Sequence, residues 1–110
     1  MKYKISKNKL EIASQEIFFD YDIKTVLEKK DVLMVLLKVP AKFNYQRNIF
    51  GVNGEGEILW QVEAPSDFPE DLFVSLYKNE NDEVEAYSWK GCENILDPKT
   101  GEILKQEFTK

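Results

Sequence analysis

Residues 96–104 of the chain read LDPKTGEIL, which is the sequence of a complete β-hairpin. Pro98 presets φ for a type I turn, and Gly101 suits the left-handed position that follows the turn. Apolar residues flank this turn on both sides, as they do where two paired strands are joined by a short connection. The stretch therefore predicts an antiparallel hairpin.

The last four residues of this stretch, Gly-Glu-Ile-Leu, occur twice in the chain. They stand at residues 56–59 and again 45 positions later, at residues 101–104. Another apolar segment precedes each copy, at residues 32–39 and 72–78. A period of roughly 40 to 50 residues is typical of propeller blades, each of which is a small antiparallel sheet that must stack on a neighbour. We therefore predict two blade-like units, at about residues 23–63 and 72–108.

The segments between the turns have the patterns of strands. Residues 32–39 are nearly all apolar and rich in branched side chains, which predicts a strand covered on both faces. Residues 22–30 fit either a helix or a strand, and we favour the strand because so short a helix is marginal on its own. Residues 3–13 predict a further small hairpin around Lys7 and Asn8.

Alternation within the strands predicts which side chains share a face. Ile58, Trp60 and Val62 are expected on one face, with Trp60 in the core. Residues Leu72, Val74 and Leu76 are expected on one side of the next strand, and Phe73 and Tyr77 on the other. In the strand after that, Val84, Ala86 and Ser88 alternate with Glu85, Tyr87 and Trp89.

The hairpin at residues 96–104 resembles the outer hairpin of pyrroloquinoline-quinone-type propeller repeats, and residues 48–60 look like a second copy. Residues 85–91, followed by Leu96-Asp97 and the turn at Gly101, are similar to a group of small uncharacterised bacterial proteins. The similarity covers about residues 23–108. It implies a blade-like fold, whereas quinone binding in those propellers belongs to the complete ring and is not implied here.

The number of repeats limits how these units can be assembled. A closed propeller typically needs four or more blades, and this chain has room for two. We therefore predict a single all-β domain over residues 1–110. Its two blade-like antiparallel sheets are expected to pack as an open sandwich or half-barrel and not as a closed propeller.

The composition argues against catalysis. The chain has no histidine, which removes the commonest general base and the commonest metal ligand, and it has one cysteine. Cys92 begins a predicted strand and is expected to be a small core residue. Neither a phosphate-binding glycine loop nor the ligand spacing of an EF-hand is present. We predict that the protein is not an enzyme and uses no cofactor or metal.

The net charge of −5 indicates which partners are favoured. It argues against nucleic acid and anionic membrane surfaces and permits a basic protein partner. A single cysteine fits a reducing compartment, and no apolar run of signal-peptide length follows the basic first residues. The most apolar stretch, residues 32–39, is too short to span a bilayer. A cytoplasmic location is expected.

Two acidic patches and a pair of aromatic residues are the candidate binding features. One patch lies in the loop at residues 63–71 and the other in the turn at residues 80–85. Tyr87 and Trp89 alternate with Glu85, so an exposed strand face would make them a binding surface. The alternative is that these two aromatic side chains cover the second sheet. The candidate partner-binding residues are Asp67, Glu70, Asp71, Glu83, Glu85, Tyr87 and Trp89.

These features favour a non-catalytic protein-interaction protein. Its most concrete form is a bacterial immunity protein that neutralises a basic toxin through an acidic face, a role suggested by the likeness to small bacterial proteins. One alternative is a structural β module that self-associates into a homo-oligomer, because sheets leave exposed edges. Another is a small-ligand-binding domain or enzyme with a carboxylate-lined cleft between the sheets.

Overall fold

The computed structural model describes residues 1–40 and 42–108, and this part of the chain contains eleven β-strands and no helix. The strands form three antiparallel sheets, in each of which neighbours in sequence are also neighbours in space. The all-β prediction is confirmed, and none of the sheets closes into a barrel. Nor does the described chain contain a helix that could cross a bilayer. The first sheet comprises β1 (Tyr3–Ser6), β2 (Lys9–Ile12) and β3 (Gln15–Phe18); the second β4 (Ile23–Lys29), β5 (Val32–Leu37), β6 (Ile49–Val52) and β7 (Ile58–Gln61); and the third β8 (Phe73–Lys78), β9 (Val84–Ser88), β10 (Cys92–Leu96) and β11 (Ile103–Phe108).

The first sheet is the main addition to the predicted architecture. The sequence indicated a hairpin there, and the structure adds β3 to make a third sheet. The turn between β2 and β3 is formed by Ala13 and Ser14, whose φ values are 51° and 64°. Two consecutive positive φ values are what a tight type I′ turn requires, and they are usually supplied by glycine or asparagine. The turn has no such residue, so the sequence carried no signal for it.

The ambiguous segment at residues 22–30 is a strand, as we favoured. It forms β4 and pairs with β5 from Ile23 opposite Leu37 to Lys29 opposite Val32. The connection again uses two positive φ values without glycine, at Lys30 (51°) and Asp31 (63°). The apolar spacing that suggested a helix reflects burial on two sides, because side chains of β4 contribute to both apolar cores.

The second sheet is the middle layer of the molecule. Every residue of β5 is buried, which confirms the predicted strand covered on both faces. Its even-numbered residues pack in the core shared with the third sheet, and its odd-numbered residues pack in the core shared with the first sheet. The three sheets are therefore stacked, with one apolar core on each side of β5.

Register shifts alter two of the predicted strand faces. The pairing of β6 with β7 shifts between Gly51 and Val52, and Ile58 is consequently 50% exposed while Trp60 and Val62 are buried. The pairing of β8 with β9 shifts between Phe73 and Ser75, so that Phe73 and Leu76 enter the core together. The predicted shared face of Leu72, Val74 and Leu76 was therefore wrong, because an irregularity in the ladder breaks the two-residue period.

The glycines of the repeated block fix how successive sheets meet. A Cβ atom at Gly101, which has a φ of 76°, would overlap the ring of Trp60 in the second sheet. The Trp60 indole also donates a 2.9 Å hydrogen bond to the carbonyl of Pro98. In the same way a Cβ at Gly56, with a φ of 84°, would lie 2.8 Å from Cβ of Gln15 in the first sheet. Each Gly-Glu-Ile-Leu block therefore places its turn glycine against the preceding sheet.

Asn48 joins the second sheet to the third. Its side chain is fully buried, and its amide nitrogen donates to the carbonyls of Leu37 (3.1 Å) and Phe73 (2.8 Å). Its amide oxygen accepts a 3.0 Å hydrogen bond from the Phe73 nitrogen. The side chain thus pairs with the start of β8 as a strand backbone would, and it holds β8 against the middle layer.

Candidate protein-binding face of the third sheet

The orientation of β9 decides where the predicted aromatic residues lie. Its alternate residues Val84, Ala86 and Ser88 are buried towards the second sheet. Tyr87 and Glu85 are half-buried on the opposite side, and Trp89, directly after β9, is 54% exposed. The alternative in which Tyr87 and Trp89 cover the second sheet was therefore wrong, because the small and aliphatic side chains of β9 do so.

The strand register extends this outward side across the whole third sheet. Glu93 of β10 lies between Tyr87 of β9 and Glu107 of β11. The next row places Ile95 between Glu85 and Lys105. Together with Tyr77 of β8, which is opposite Glu85, we call this surface the outer face. Trp89 lies beyond its end, beside Leu72 and Val74. Residues of the outer face and of the β8–β9 turn line a shallow hollow of about 530 Å³.

Glu93 and Glu107 form a like-charge pair on the outer face. They are directly opposite each other in the antiparallel ladder, and no ion pair to either is present in residues 1–40 and 42–108. Like charges at directly opposite positions destabilise a sheet, by roughly 0.2–1 kcal/mol. The stability of the fold therefore gives no reason for this pair.

The first sheet shows how the same arrangement is compensated elsewhere. Glu11 and Glu16 are also directly opposite, but the Lys9 ammonium lies 2.9 Å from Glu11 and 3.4 Å from Glu16. The hydrogen bond and charge of Lys9 lower the pKa of Glu11, which marks a favourable interaction. The contrast makes Glu93 and Glu107 the unusual pair.

Tyr77 and Asn79 organise the acidic end of the outer face. The Tyr77 hydroxyl donates to Glu85, and partial burial, reinforced by this hydrogen bond and by the charge of Glu85, raises the pKa of Tyr77 to about 12. The Asn79 side-chain nitrogen donates to Glu83 (3.1 Å) and to Glu85 (3.3 Å). Glu85 therefore has a fixed position, with Tyr77 as a permanent donor at neutral pH.

The predicted acidic residues of the long loop lie at the other end of the third sheet. Asp71 is fully buried, and its carboxylate accepts hydrogen bonds from the Lys90 backbone nitrogen (2.9 Å) and the Ser66 hydroxyl (2.7 Å). Glu70 contacts the Lys90 ammonium at 3.0 Å, and Asp67 is exposed. Asp71 is thus occupied internally and is not available to a partner as a surface carboxylate.

The seven predicted residues consequently do not form one patch. Glu83 lies at the β8–β9 turn, whereas Asp67, Glu70 and Trp89 lie beyond the opposite end of β9, which has five residues. A strand of that length spans roughly 17 Å. Glu85 and Tyr87 lie between the two ends, on the outer face.

Sequence reasoning missed four residues of this region, namely Tyr77, Glu93, Glu107 and the exposed Phe68. Tyr77 was assigned a face of its strand but not a role. The positions of Glu93 and Glu107 depend on the pairing of β10 with β11, and that pairing contains a register shift between Ile95 and Leu96. A hairpin drawn with ideal alternation from the turn at Gly101 would have placed the two glutamates incorrectly.

The single thiol of the chain is enclosed. Cys92 is buried as predicted, and burial raises the pKa of its thiol, with the negative charge of Asp71 acting in the same direction. The thiol therefore stays protonated at neutral pH and is a poor nucleophile. Among the described residues no three histidine, cysteine or acidic side chains are grouped so that they could hold a metal ion.

Comparison with known families assigns the chain. Residues 1–108 match the family described as Domain of unknown function (DUF7957). The chain belongs to this family. Comparison with curated proteins gives no match for this DUF7957 chain.

A solved structure supports the fold of the DUF7957 domain. The computationally designed protein Ika8 superimposes with a TM-score of 0.58 at 15% sequence identity, over 96% of this chain and 35% of the designed one. The chain therefore spans about a third of the Ika8 chain. At this identity the likeness concerns the fold alone. The comparisons show neither a quinone-type propeller repeat nor a toxin-immunity family.

Proposed function

We propose that this DUF7957 chain is a non-catalytic protein-binding module that takes a basic protein partner on the outer face of its third sheet. The observation that carries the proposal is the Glu93–Glu107 pair, to which no residue of the described chain supplies an ion pair. A cation supplied by a partner would remove the repulsion that the isolated fold retains. The pair would then cost stability in the free protein and add affinity in the complex.

The aromatic side chains around the pair support the same conclusion. Tyr77 and Trp89 are exposed large side chains, and Tyr87 is half-buried between them. Tyrosine and tryptophan are enriched in the residues that dominate binding energy at protein interfaces. Acidic groups beside them would steer a basic partner towards the face and raise its association rate.

A bacterial immunity protein is the specific role that we favour for such a module. In that role the outer face would cover the cationic surface of a basic toxin. The likeness to small bacterial proteins and the net charge of −5 support this form of the proposal.

The alternatives draw less support from the geometry. Self-association through further stacked sheets would bury the outer face, which is charged, whereas both existing interfaces between sheets are apolar. Polar outer faces are typical of the terminal units of a stack. A ligand cleft between the sheets is not favoured either, because branched and aromatic side chains fill both cores.

Parallel capture experiments test the proposal. The wild-type protein, E93K/E107K and the control E16K/E102K are immobilised and exposed to lysate from cells that carry the native gene and its neighbours. The two double variants change the net charge equally, but Glu16 belongs to the first sheet and Glu102 to the connection between β10 and β11, outside the row of Glu93 and Glu107. We expect a basic protein that the wild type and E16K/E102K retain and E93K/E107K loses. Equal retention by all three proteins, or no specific protein at all, would refute the proposal.

A further inference from the structure

Beside the outer face, three side chains surround the ammonium group of a lysine from the same chain. The Lys90 ammonium lies 5.0 Å from the centre of the Phe68 ring and 5.6 Å from that of Trp89. It also lies 3.0 Å from the Glu70 carboxylate. We call Phe68, Glu70, Trp89 and Lys90 the aromatic corner. Two exposed rings and one carboxylate around an ammonium form a complete recognition site for a cation.

A small apolar hollow opens beside this corner. It has a volume of about 180 Å³ and is lined by Val39, Leu72 and Val74 together with Trp89 and Glu70. Glu70 is the one charged residue among those that line it. Such a hollow matches a long amphipathic side chain, whose aliphatic stem lies along apolar walls while its charged head reaches a polar rim.

We infer that the aromatic corner is the binding site for an arginine side chain of a protein partner, and that Lys90 is an internal substitute that this arginine displaces. The inference rests on the proposed function, since the arginine belongs to the basic partner. Arginine is favoured over lysine because a planar guanidinium can stack on the Trp89 ring and bind Glu70 through two parallel hydrogen bonds. An ammonium is a point charge and offers neither.

The way in which Lys90 is held permits the exchange. Its side chain is fixed only by a partly exposed ion pair and by two weak ring contacts, interactions that contribute little in water. Its backbone nitrogen is held separately by the buried carboxylate of Asp71. The ammonium can therefore leave the corner while the loop and the rings keep their positions.

The probe for this site is N-acetyl-arginine amide, which carries a guanidinium but no other charge. The readout is the NMR signal of the Trp89 indole N–H, assigned by comparison with the W89F variant. Trp60 carries the other indole, which is bonded internally to Pro98, and its signal serves as the reference. N-acetyl-norleucine amide, an apolar analogue of the aliphatic stem of arginine, separates binding of the cation from filling of the hollow.

We expect a saturable shift of the Trp89 signal, with K90A binding the arginine probe about three- to fivefold more tightly than wild type. The matched variant K99A removes a lysine from a distant turn and should bind like wild type, and E70Q should bind more weakly. Absence of a saturable shift with K90A would overturn the inference. Equal binding of the norleucine analogue would also overturn it, since the corner would then be only an apolar hollow.

The two proposals can fail separately. The arginine probe measures the corner without any partner, whereas E93K/E107K tests the outer face and leaves all four corner residues intact. A corner that ignores arginine while capture still depends on Glu93 and Glu107 would remove the inference and leave the proposed function standing. Binding of the arginine probe without any captured partner would refute the proposed function and leave the aromatic corner as a guanidinium-binding site.

Discussion

Trp60 shows how one side chain fixes the distance between two sheets. It is buried, its indole nitrogen is bonded to Pro98, and its ring fills the space that a side chain at Gly51 or Gly101 would need. Gly101 has the further requirement of a positive φ, which residues other than glycine adopt at a cost. The repeated block is therefore a packing element as well as a turn.

Replacement of Gly101 by alanine should consequently lower the free energy of unfolding by about 2–4 kcal/mol. Strain at the positive φ and overpacking against Trp60 both contribute to this loss. Gly54 is the matched control, because a Cβ atom there would meet nothing within 4 Å. Urea unfolding of G101A and G54A measures the difference. Equal stabilities of the two variants would contradict this account of the turn.

Tyr77 gives the stability of the protein a dependence on alkaline pH. Its pKa is raised from 10.0 to about 12 in the folded state, so the folded protein retains a proton that the unfolded chain loses. This contribution is complete below pH 10 and is lost as the pH rises from about 10 to about 12. We expect Y77F to lose less stability than wild type between about pH 10 and about pH 11, the lower part of this window. Unfolding curves with parallel pH dependence would contradict the assignment.

At the scale of the elements, Asn48 carries the connection between the second and third sheets. Its amide satisfies both backbone groups of Phe73, which is itself buried. No short side chain of another type could supply a donor and an acceptor in this geometry. The contact is specific to β8, so its loss should loosen the third sheet first.

We expect N48A to be destabilised by about 2–4 kcal/mol, because a buried donor and a buried acceptor lose their partner. Asn44, which is exposed, provides the control variant N44A. Hydrogen exchange adds a positional test, since protection should fall most in β8 and β9. A uniform or negligible effect would argue against the bridging role of Asn48.

A charge reversal at Glu107, which lies opposite Glu93, should have opposite effects on stability and on binding. E107K replaces a like-charge pair with an oppositely charged one and should raise the free energy of unfolding by roughly 0.2–1 kcal/mol. The same variant should weaken capture of the partner, because it removes one of the two carboxylates proposed to bind it. A variant that is less stable, or that binds as well as wild type, would show that the pair has another role.

The sequence was most informative where a pattern depends on the chain alone. The continuous apolar run of β5 predicted burial on both faces, and the alternation in β9 separated Val84, Ala86 and Ser88 from Tyr87 and Trp89. Strand β3, which completes the first sheet, was missed because the turn at Ala13 and Ser14 adopts positive φ values without glycine. Faces were misassigned in β7 and β8 because register shifts are set by tertiary packing.

The residues of the candidate site could likewise be predicted from the sequence only in part. Glu85, Tyr87 and Trp89 could be placed on one strand face from their spacing. Glu93 and Glu107 could not be added to that face, because their relation to Tyr87 exists only across paired strands. The burial of Asp71 likewise follows from the fold of the long loop and from its bonds to Ser66 and Lys90.

At the scale of the whole molecule, the chain is a stack of three sheets with two apolar cores and charged outer surfaces. The first sheet carries ion pairs around Lys9, whereas Glu93 and Glu107 of the third sheet have no ion pair within residues 1–40 and 42–108. The two ends of the stack are therefore different. We propose the end formed by the third sheet as the protein-binding surface.

Isothermal titration of the purified captured protein with wild type, E93K/E107K and E16K/E102K tests this central claim most directly. E93K/E107K keeps a like-charge pair across the ladder, so its fold should remain as stable as that of wild type. The account predicts that E93K/E107K raises the Kd at least about tenfold, equivalent to about 1.4 kcal/mol, while E16K/E102K leaves it unchanged. Equal Kd values for all three proteins would contradict a binding site on the outer face.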